Sequence, residues 1–223
     1  MIHLKEDCIF IADSHYNNNR QELKLFLQKL LNKDIITSQL VLMGDMFDFL
    51  SPQVTFFMKK NHDVIKLLND LSKNIEIVYF EGNHDFNLSS LFPNIEVIRR
   101  QNQPLICKYN NKLTAIAHGD IFTPKIYNIY TSVIRSKITL FIINLIDINY
   151  WISNRVNQWL LNKKLCGKCK NFEAFAENRI SIYPNNIECI IEGHFHFGNE
   201  FLTYVNVPSL SCDGKYFQGH YKN

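Results

Sequence analysis

No stretch of about 18 apolar residues occurs in these 223 residues, so no single helix is expected to span a bilayer. Met1 to Asp13 has neither a basic start nor a long apolar stretch, so no secretory leader is expected. Internal repeats and low-complexity segments are missing, which excludes a repeat architecture. A large excess of one charge is missing too: the formal net charge is +3, too mild to indicate nucleic acid by itself. Neither a nucleic-acid nor a protein partner is expected. Of the six cysteines, Cys8 and Cys189 fall in apolar runs and read as small core residues. With no leader, the expected setting is a reducing, cytoplasmic compartment with mostly free thiols. What the chain does have is apolar bulk. A hydrophobic fraction of 46% suffices for a full core, and the length fits one large domain or a domain with an inserted subdomain.

The stretch Leu40-Val41-Leu42-Met43-Gly44-Asp45 shows how the chain is organised: an apolar strand stops at a glycine and delivers an aspartate. Other strands are expected at Cys8–Ala12, Ile75–Phe80, Ile95–Ile98, Leu105–Tyr109, Leu113–Ala117, Ile187–Ile191 and Phe201–Val207. Helical spacing marks Gln21–Lys33 and Val54–Lys73, and Asn110-Asn111 reads as a hairpin turn. This alternation predicts an α/β fold. Between Pro124 and Arg179 the strand signals vanish, which predicts a helical insertion at 124–179 in a core made of 1–123 and 180–223.

Five polar motifs stand at the ends of predicted strands: Asp13-Ser14-His15, Gly44-Asp45-Met46-Phe47-Asp48, Gly82-Asn83-His84-Asp85, His118-Gly119-Asp120 and Gly193-His194-Phe195-His196. They offer carboxylate, imidazole and amide oxygen, the donors of divalent cations, and no thiolate. Singly, each has an ordinary alternative, such as a helix cap or a turn. Their joint occurrence, each after an apolar strand, predicts one metal-binding cluster.

The set resembles the calcineurin-like metallophosphoesterase superfamily, whose pattern is Asp-x-His, Gly-Asp-x-x-Asp, Gly-Asn-His-Asp/Glu, His and Gly-His-x-His. All five blocks are present in order between Asp13 and His196. The resemblance implies a four-layer α/β/β/α sandwich and two divalent metal ions, with manganese expected. Asp13, His15, Asp45 and His196 would hold one ion, and Asp45, Asn83, His118 and His194 the other. His84 would face the phosphoryl group, as an imidazolium that stabilises charge or protonates the leaving oxygen. Asp48, Asp85 and Asp120 are expected behind the ligands, with Asp48 and Asp85 orienting imidazoles.

Residues 125–179 carry nine basic and three acidic side chains, a charge of +6 that leaves −3 for the remainder. The same segment is rich in large apolar groups, as in Ile138-Thr139-Leu140-Phe141-Ile142-Ile143. That combination suits an anionic lipid surface or a cap over an acylated phosphate. The size, the Gly-Asp-Met-Phe-Asp-Phe block, Phe86 and the insertion after Asp120 are similar to the UDP-2,3-diacylglucosamine pyrophosphatase branch. This similarity implies a nucleotide-linked acylated sugar as substrate in lipid A biosynthesis. It also implies a peripheral place on the cytoplasmic face of the inner membrane. Asn154, Arg155, Lys163, Lys164, Lys168 and Lys170 are the candidate substrate contacts in the insertion. Three positions depart from the branch: His84 stands for Arg, Phe49 for Trp, and Val205-Asn206-Val207-Pro208-Ser209 for Asn-x-Gly-x-Trp. The alternative substrates are a soluble nucleotide, a nucleic-acid end or a phosphoprotein. Cys166-Gly167-Lys168-Cys169 has the spacing of a zinc or redox pair, but structural cysteines are expected because no second ligand pair is near.

Overall fold

Alternation along the strands decides the layering. In β1 (Ile9–Ile11), β2 (Gln39–Leu42) and β3 (Glu76–Phe80), successive side chains point to opposite faces. Ile9, Ile11, Leu40, Leu42, Ile77 and Tyr79 pack under helices α1 (Glu22–Leu31) and α3 (His62–Leu71). Phe10, Val41, Val78 and Phe80 point the other way and meet Cys107, Tyr109, Ile116, Ile191 and Val205 of a second sheet. Both faces of the first sheet are therefore covered, which is why its strands read as unbroken apolar runs.

The computed structural model describes residues 3–218; the ends of the predicted core, 1–2 and 219–223, lie outside the described residues. The first sheet has the order β10-β1-β2-β3-β4, with β4 at Glu96–Ile98 and β10 at Phe217–Gln218. β1 to β4 run parallel and β10 is antiparallel. The second sheet has the order β5-β6-β7-β9-β8, formed by Leu105–Tyr109, Lys112–Ala117, Cys189–Glu192, Tyr204–Asn206 and Glu200–Phe201 respectively. Both sheets are mixed, and the predicted α/β sandwich is what the chain forms. Asn110 and Asn111 turn the β5–β6 hairpin with positive φ, as their side chains tolerate.

Two expectations need correction. The helical pattern at Val54–Lys73 is two helices, α2 (Thr55–Lys60) and α3, because buried Asn61 leaves helical geometry and donates to the Phe49 carbonyl at 3.1 Å. The segment expected as an insertion at 124–179 contains α4 (Lys125–Ile134), α5 (Lys137–Ile146) and α6 (Trp151–Asn162). Its last helix, α7 (Phe172–Ile182), instead packs Ala176 on Ala115, Ile190 and Tyr204 as the sandwich's outer layer. Arg179 anchors it there through Glu192, at 2.5 and 2.8 Å. That ion pair buries the residue taken as the segment's end.

Candidate metal centre

Each motif follows the carboxyl end of a parallel-paired strand, β1, β2, β3, β6 or β7, the edge at which open α/β sheets present ligand groups. There the backbone turns sharply. Asp13, His15, Asp45, His194 and His196 all have positive φ, between 43° and 67°. For residues with a side chain this costs on the order of 1–3 kcal/mol each, and such strain concentrates at functional sites. Gly82 is required by proximity: a Cβ there would lie 2.2 Å from Asp45 Oδ1.

Asp45 is the hub. Its Oδ2 lies 3.6 Å from His118 Nε2 and 4.0 Å from His15 Nε2, while its Oδ1 accepts the His84 N–H at 2.8 Å. His196 Nε2 stands 3.4 Å from both His15 Nε2 and Asp13 Oδ1. Asn83 Oδ1 is 3.3 Å from His118 Nε2, and the His194 ring meets the His118 ring edge-on at 5.0 Å. Three sets of donors converge within 4.8 Å: Asp13, His15 and His196; His15, Asp45 and His84; and Asp45, His118 and His194. All seven expected ligands are thus brought to one place.

The donors fit divalent cations. Asp13 Oδ1 and His15 Nδ1 are buried with no hydrogen-bond partner, which is costly unless something else satisfies them. His118 Nδ1–H donates to the Met43 carbonyl at 2.8 Å, which leaves Nε2 free to ligate. Burial alone raises Asp45, but His118, His84 and His15 hold its carboxyl well below the usual carboxylate range. Burial lowers His118, yet Asp45, Asp120 and Asp13 push it up to about 9. His194 goes the other way: burial, then the His118 charge, bring it down to about 4. Carboxylates and imidazoles so tightly opposed are held by charge that cations would replace.

The carboxylates behind the ligands have roles other than those expected. Asp85 touches no imidazole among its hydrogen-bond partners. It accepts from the backbone N–H of Asp45 (3.0 Å), Met46 (2.6 Å) and Gly82 (2.9 Å) and from the Tyr79 hydroxyl (2.6 Å). It therefore pins two ligand-bearing turns together. Asp120 is paired with Arg100 Nε at 2.8 Å and Arg135 Nη2 at 3.0 Å, and acts on His118 only through its charge. Asp48 Oδ1 lies 3.5 Å from His15 Nδ1, too poorly aligned to bond, and accepts from Arg20 Nη2 at 2.8 Å, while Asp48 Oδ2 accepts from Asn17 Nδ2. Sequence reasoning missed Arg20 and Tyr79. Arg20 stands five residues after His15, a signal that was available.

A cleft of about 190 Å³ opens above the hub, lined among others by Asn83, His84, Lys163, Lys164 and Phe195. His84 Nδ1–H donates to the Asp48 carbonyl at 2.6 Å, and its Nε2 faces Lys163 Nζ at 3.1 Å. Burial pulls His84 below its ordinary value and Lys163 Nζ faces its Nε2, both of which disfavour the expected imidazolium. The cation comes from Lys163. The other candidate contacts lie elsewhere. Asn154 and Arg155 border a separate depression, with the Arg155 guanidinium 4.3 Å from the Trp151 ring. Lys168 and Lys170 are exposed and do not line the cleft. Cys166 is bonded to Cys212 and not to Cys169, and the other four cysteines are in no disulfide. The disulfide ties the lysine-bearing loop to α8 (Leu210–Asp213), where the Ser209 and Ser211 hydroxyls donate to the Asp13 carbonyl at 2.8 and 3.0 Å.

Residues 8–198 match the family model described as calcineurin-like phosphoesterase. No curated protein sequence matches the chain. Among solved structures, an Aquifex aeolicus protein of unknown function, AQ665, aligns at 15% identity over 93% of this chain and 91% of that one, with a TM-score of 0.46. Yfce, a phosphoesterase from E. coli, aligns at 12% identity over 94% and 85%, with a TM-score of 0.43. The Pseudomonas putida nuclease MPE aligns at 21% identity over 51% and 54%, with a TM-score of 0.36.

Proposed function

The chain belongs to the calcineurin-like phosphoesterase family, and from that premise we propose that this metal-dependent hydrolase cleaves the diphosphate of UDP-2,3-diacylglucosamine to UMP and 2,3-diacylglucosamine 1-phosphate. The observation that carries the reading is a basic cleft beside an apolar surface. Lys163 and Lys164 line the donor cluster, while Ile138, Phe141, Leu145, Trp151 and Trp159 stand exposed on α5 and α6. Phosphates need the first and acyl chains the second.

Asp13, His15, Asp45 and His196 would hold one cation and Asp45, Asn83, His118 and His194 a second, with Mn2+ the proposed ion. Two such ions supply Lewis acidity toward a phosphoryl oxygen and acidify water near neutral pH. The chain's own groups do the remainder. Asp85 fixes the Asp45 and Gly82 turns so that the donors keep their spacing. Lys163 places an ammonium where charge grows on the equatorial phosphoryl oxygens as water adds and the bridging P–O bond breaks. His84 Nε2 accepts from that ammonium and so orients it, and the ammonium also offsets the charge left on the departing oxygen.

The exposed apolar rows on α4 to α6, with Lys125, Lys137 and Arg155 among them, support peripheral attachment to the cytoplasmic face of an anionic inner membrane. No single helix among the described residues is long and apolar enough to cross a membrane; α4 and α5 meet that measure only together, and they bend by 51°.

A second reading, a phosphodiesterase acting on a soluble nucleotide, nucleic-acid end or phosphoprotein, is favoured by His84 standing where the lipid branch has Arg. Assay of the Mn2+-loaded protein on UDP-2,3-diacylglucosamine and on bis(p-nitrophenyl) phosphate separates the two. UMP release is expected. Turnover of the chromogenic diester without UMP release eliminates the lipid substrate while leaving the hydrolase intact.

A further inference from the structure

A second basic concavity lies apart from the metal cleft. A cavity of about 550 Å³ lies beside α4 and the start of α5, lined by Arg99, Arg100, Arg135 and Lys137, with Glu81 the one carboxylate in its wall. Exposed Ser89 and Ser90 bring hydroxyls to the same wall. Asp120, behind the wall, pairs with Arg100 and Arg135, so the surplus positive charge of this concave site rests on Arg99 and Lys137.

The wall is built rather than incidental. Arg135 donates to the Gly82 carbonyl at 2.8 Å and to Asp120 at 3.0 Å, and stacks 5.5 Å from the Phe86 ring. Arg100 is fixed by Asp120 (2.8 Å), Thr123 (3.2 Å) and Asn128 (2.9 Å). Asn87 bridges the sides by donating to the Arg135 carbonyl at 2.9 Å. Glu81 already accepts the Leu88 N–H at 2.9 Å. Two positive side chains are left over: Arg99 and Lys137 are exposed and have no ion pair among the described residues. Unpaired cations held near fixed guanidinium groups repel each other, and an anion between them removes that cost.

We propose that this cavity is a second binding site, for a small, multiply charged phosphate ligand of diphosphate type. Arg99 and Lys137 clamp the phosphate oxygens, and the fixed Arg135 and Arg100 form the positive floor. A diphosphate offers separate phosphoryl groups to the two free cations, which a single phosphate does not. The site is separate from the donor cluster and is linked to it through Arg135, which donates to the carbonyl of Gly82 next to Asn83, and through Asp120, which Arg100 and Arg135 share. It does not depend on the identity of the substrate proposed above.

The test is calorimetric titration of the full-length, Mn2+-loaded protein with methylenediphosphonate, a diphosphate analogue that resists hydrolysis. Two classes of site are expected. Arg99→Ala with Lys137→Ala should weaken one class about tenfold or more. In that double variant, metal content and turnover of bis(p-nitrophenyl) phosphate should stay unchanged. Asp45→Asn should remove the other class and leave this one. Restoring charge with Arg99→Lys and Lys137→Arg should recover binding. A single class in the unaltered protein, or both classes intact in the alanine double variant, overturns the proposal. Neither result bears on UMP release, so the two readings fail separately.

Discussion

Asp13, Asp45, Asp85 and His118 lie almost wholly buried at the strand ends, whereas Ile138, Leu145 and Trp151 of the helical segment are 73%, 71% and 60% exposed. Burying a charged group is costly unless it is paired, and leaving an Ile, Leu or Trp in water forgoes roughly 1.5–3 kcal/mol of burial. The two regions thus depart from ordinary partitioning in opposite directions. In the cleft, much of the departure is tied down by hydrogen bonds, as with the five donors on Asp85, among them Phe47 N–H. On α5 and α6 the bonds to the core are scattered: Asn144 accepts from Thr55 N at 2.9 Å, Tyr150, just before α6, from Lys59 at 2.9 Å, Asn157 from Lys60, and the Leu160 carbonyl from Arg20 at 3.3 Å. A rigid polar site suits chemistry on small reacting atoms. A loosely anchored apolar surface suits a large, soft ligand such as a lipid face.

The contrast can be broken by substitution on either side. The largest effect is expected at the hub: Asp45→Asn should reduce turnover of bis(p-nitrophenyl) phosphate by about a thousandfold or more, since it removes the charge that opposes every imidazole. Full activity in that variant would remove Asp45 from the reaction. Lys163→Ala and His84→Ala should each cost roughly a hundredfold in kcat with metal content unchanged by elemental analysis. An emptied site in the His84 variant would make it a ligand instead. Asp48→Ala should weaken metal affinity about 10–100-fold, as it frees Arg20 and the support beside His15. On the other side, replacing Ile138, Leu145 and Trp151 by Ser should abolish co-sedimentation with anionic vesicles and leave chromogenic turnover untouched. Loss of turnover together with vesicle binding would show the two regions to be one structural unit.

The smallest effect is on stability against pH, and its sign follows from opposed histidines. In the metal-free protein, His118 is raised from 6.5 to about 9, so its stabilising charge is present below pH 6.5 and is lost as pH rises through about 9. His194 is lowered from 6.5 to about 4, so stability also falls as pH drops from 6.5 through about 4. Thermal midpoints after chelation should peak between these limits, and loading with Mn2+ should flatten the alkaline fall because His118 must give up its proton to bind. Midpoints that climb steadily through pH 9 without metal would contradict the pairing of His118 with Asp45.

How much of this was legible in the chain varied with the range of the interaction. The turn residues at 44–48, 82–85 and 193–196 were visible because each follows an apolar strand directly. Their convergence was visible only through the order of five blocks, which resembles a known pattern. Roles that depend on partners far away in sequence were misread. Asp85 was taken to orient an imidazole and instead bonds the turns around it. Four of six proposed cap contacts fall outside the cleft, because charge and position along a helix do not say which side of the cap faces the donors.

The sequence alone determined the alternation of strands and helices and the donor type at each strand end, since both follow from side-chain period and from residues adjacent in the chain. Only the tertiary structure decided that α7 belongs to the sandwich, that Cys166 meets Cys212, that Lys163 reaches His84, and that Arg99 and Lys137 face one cavity. Those pairings join residues tens of positions apart. They are set by how the two sheets and the helices stack, not by any local preference of the residues involved.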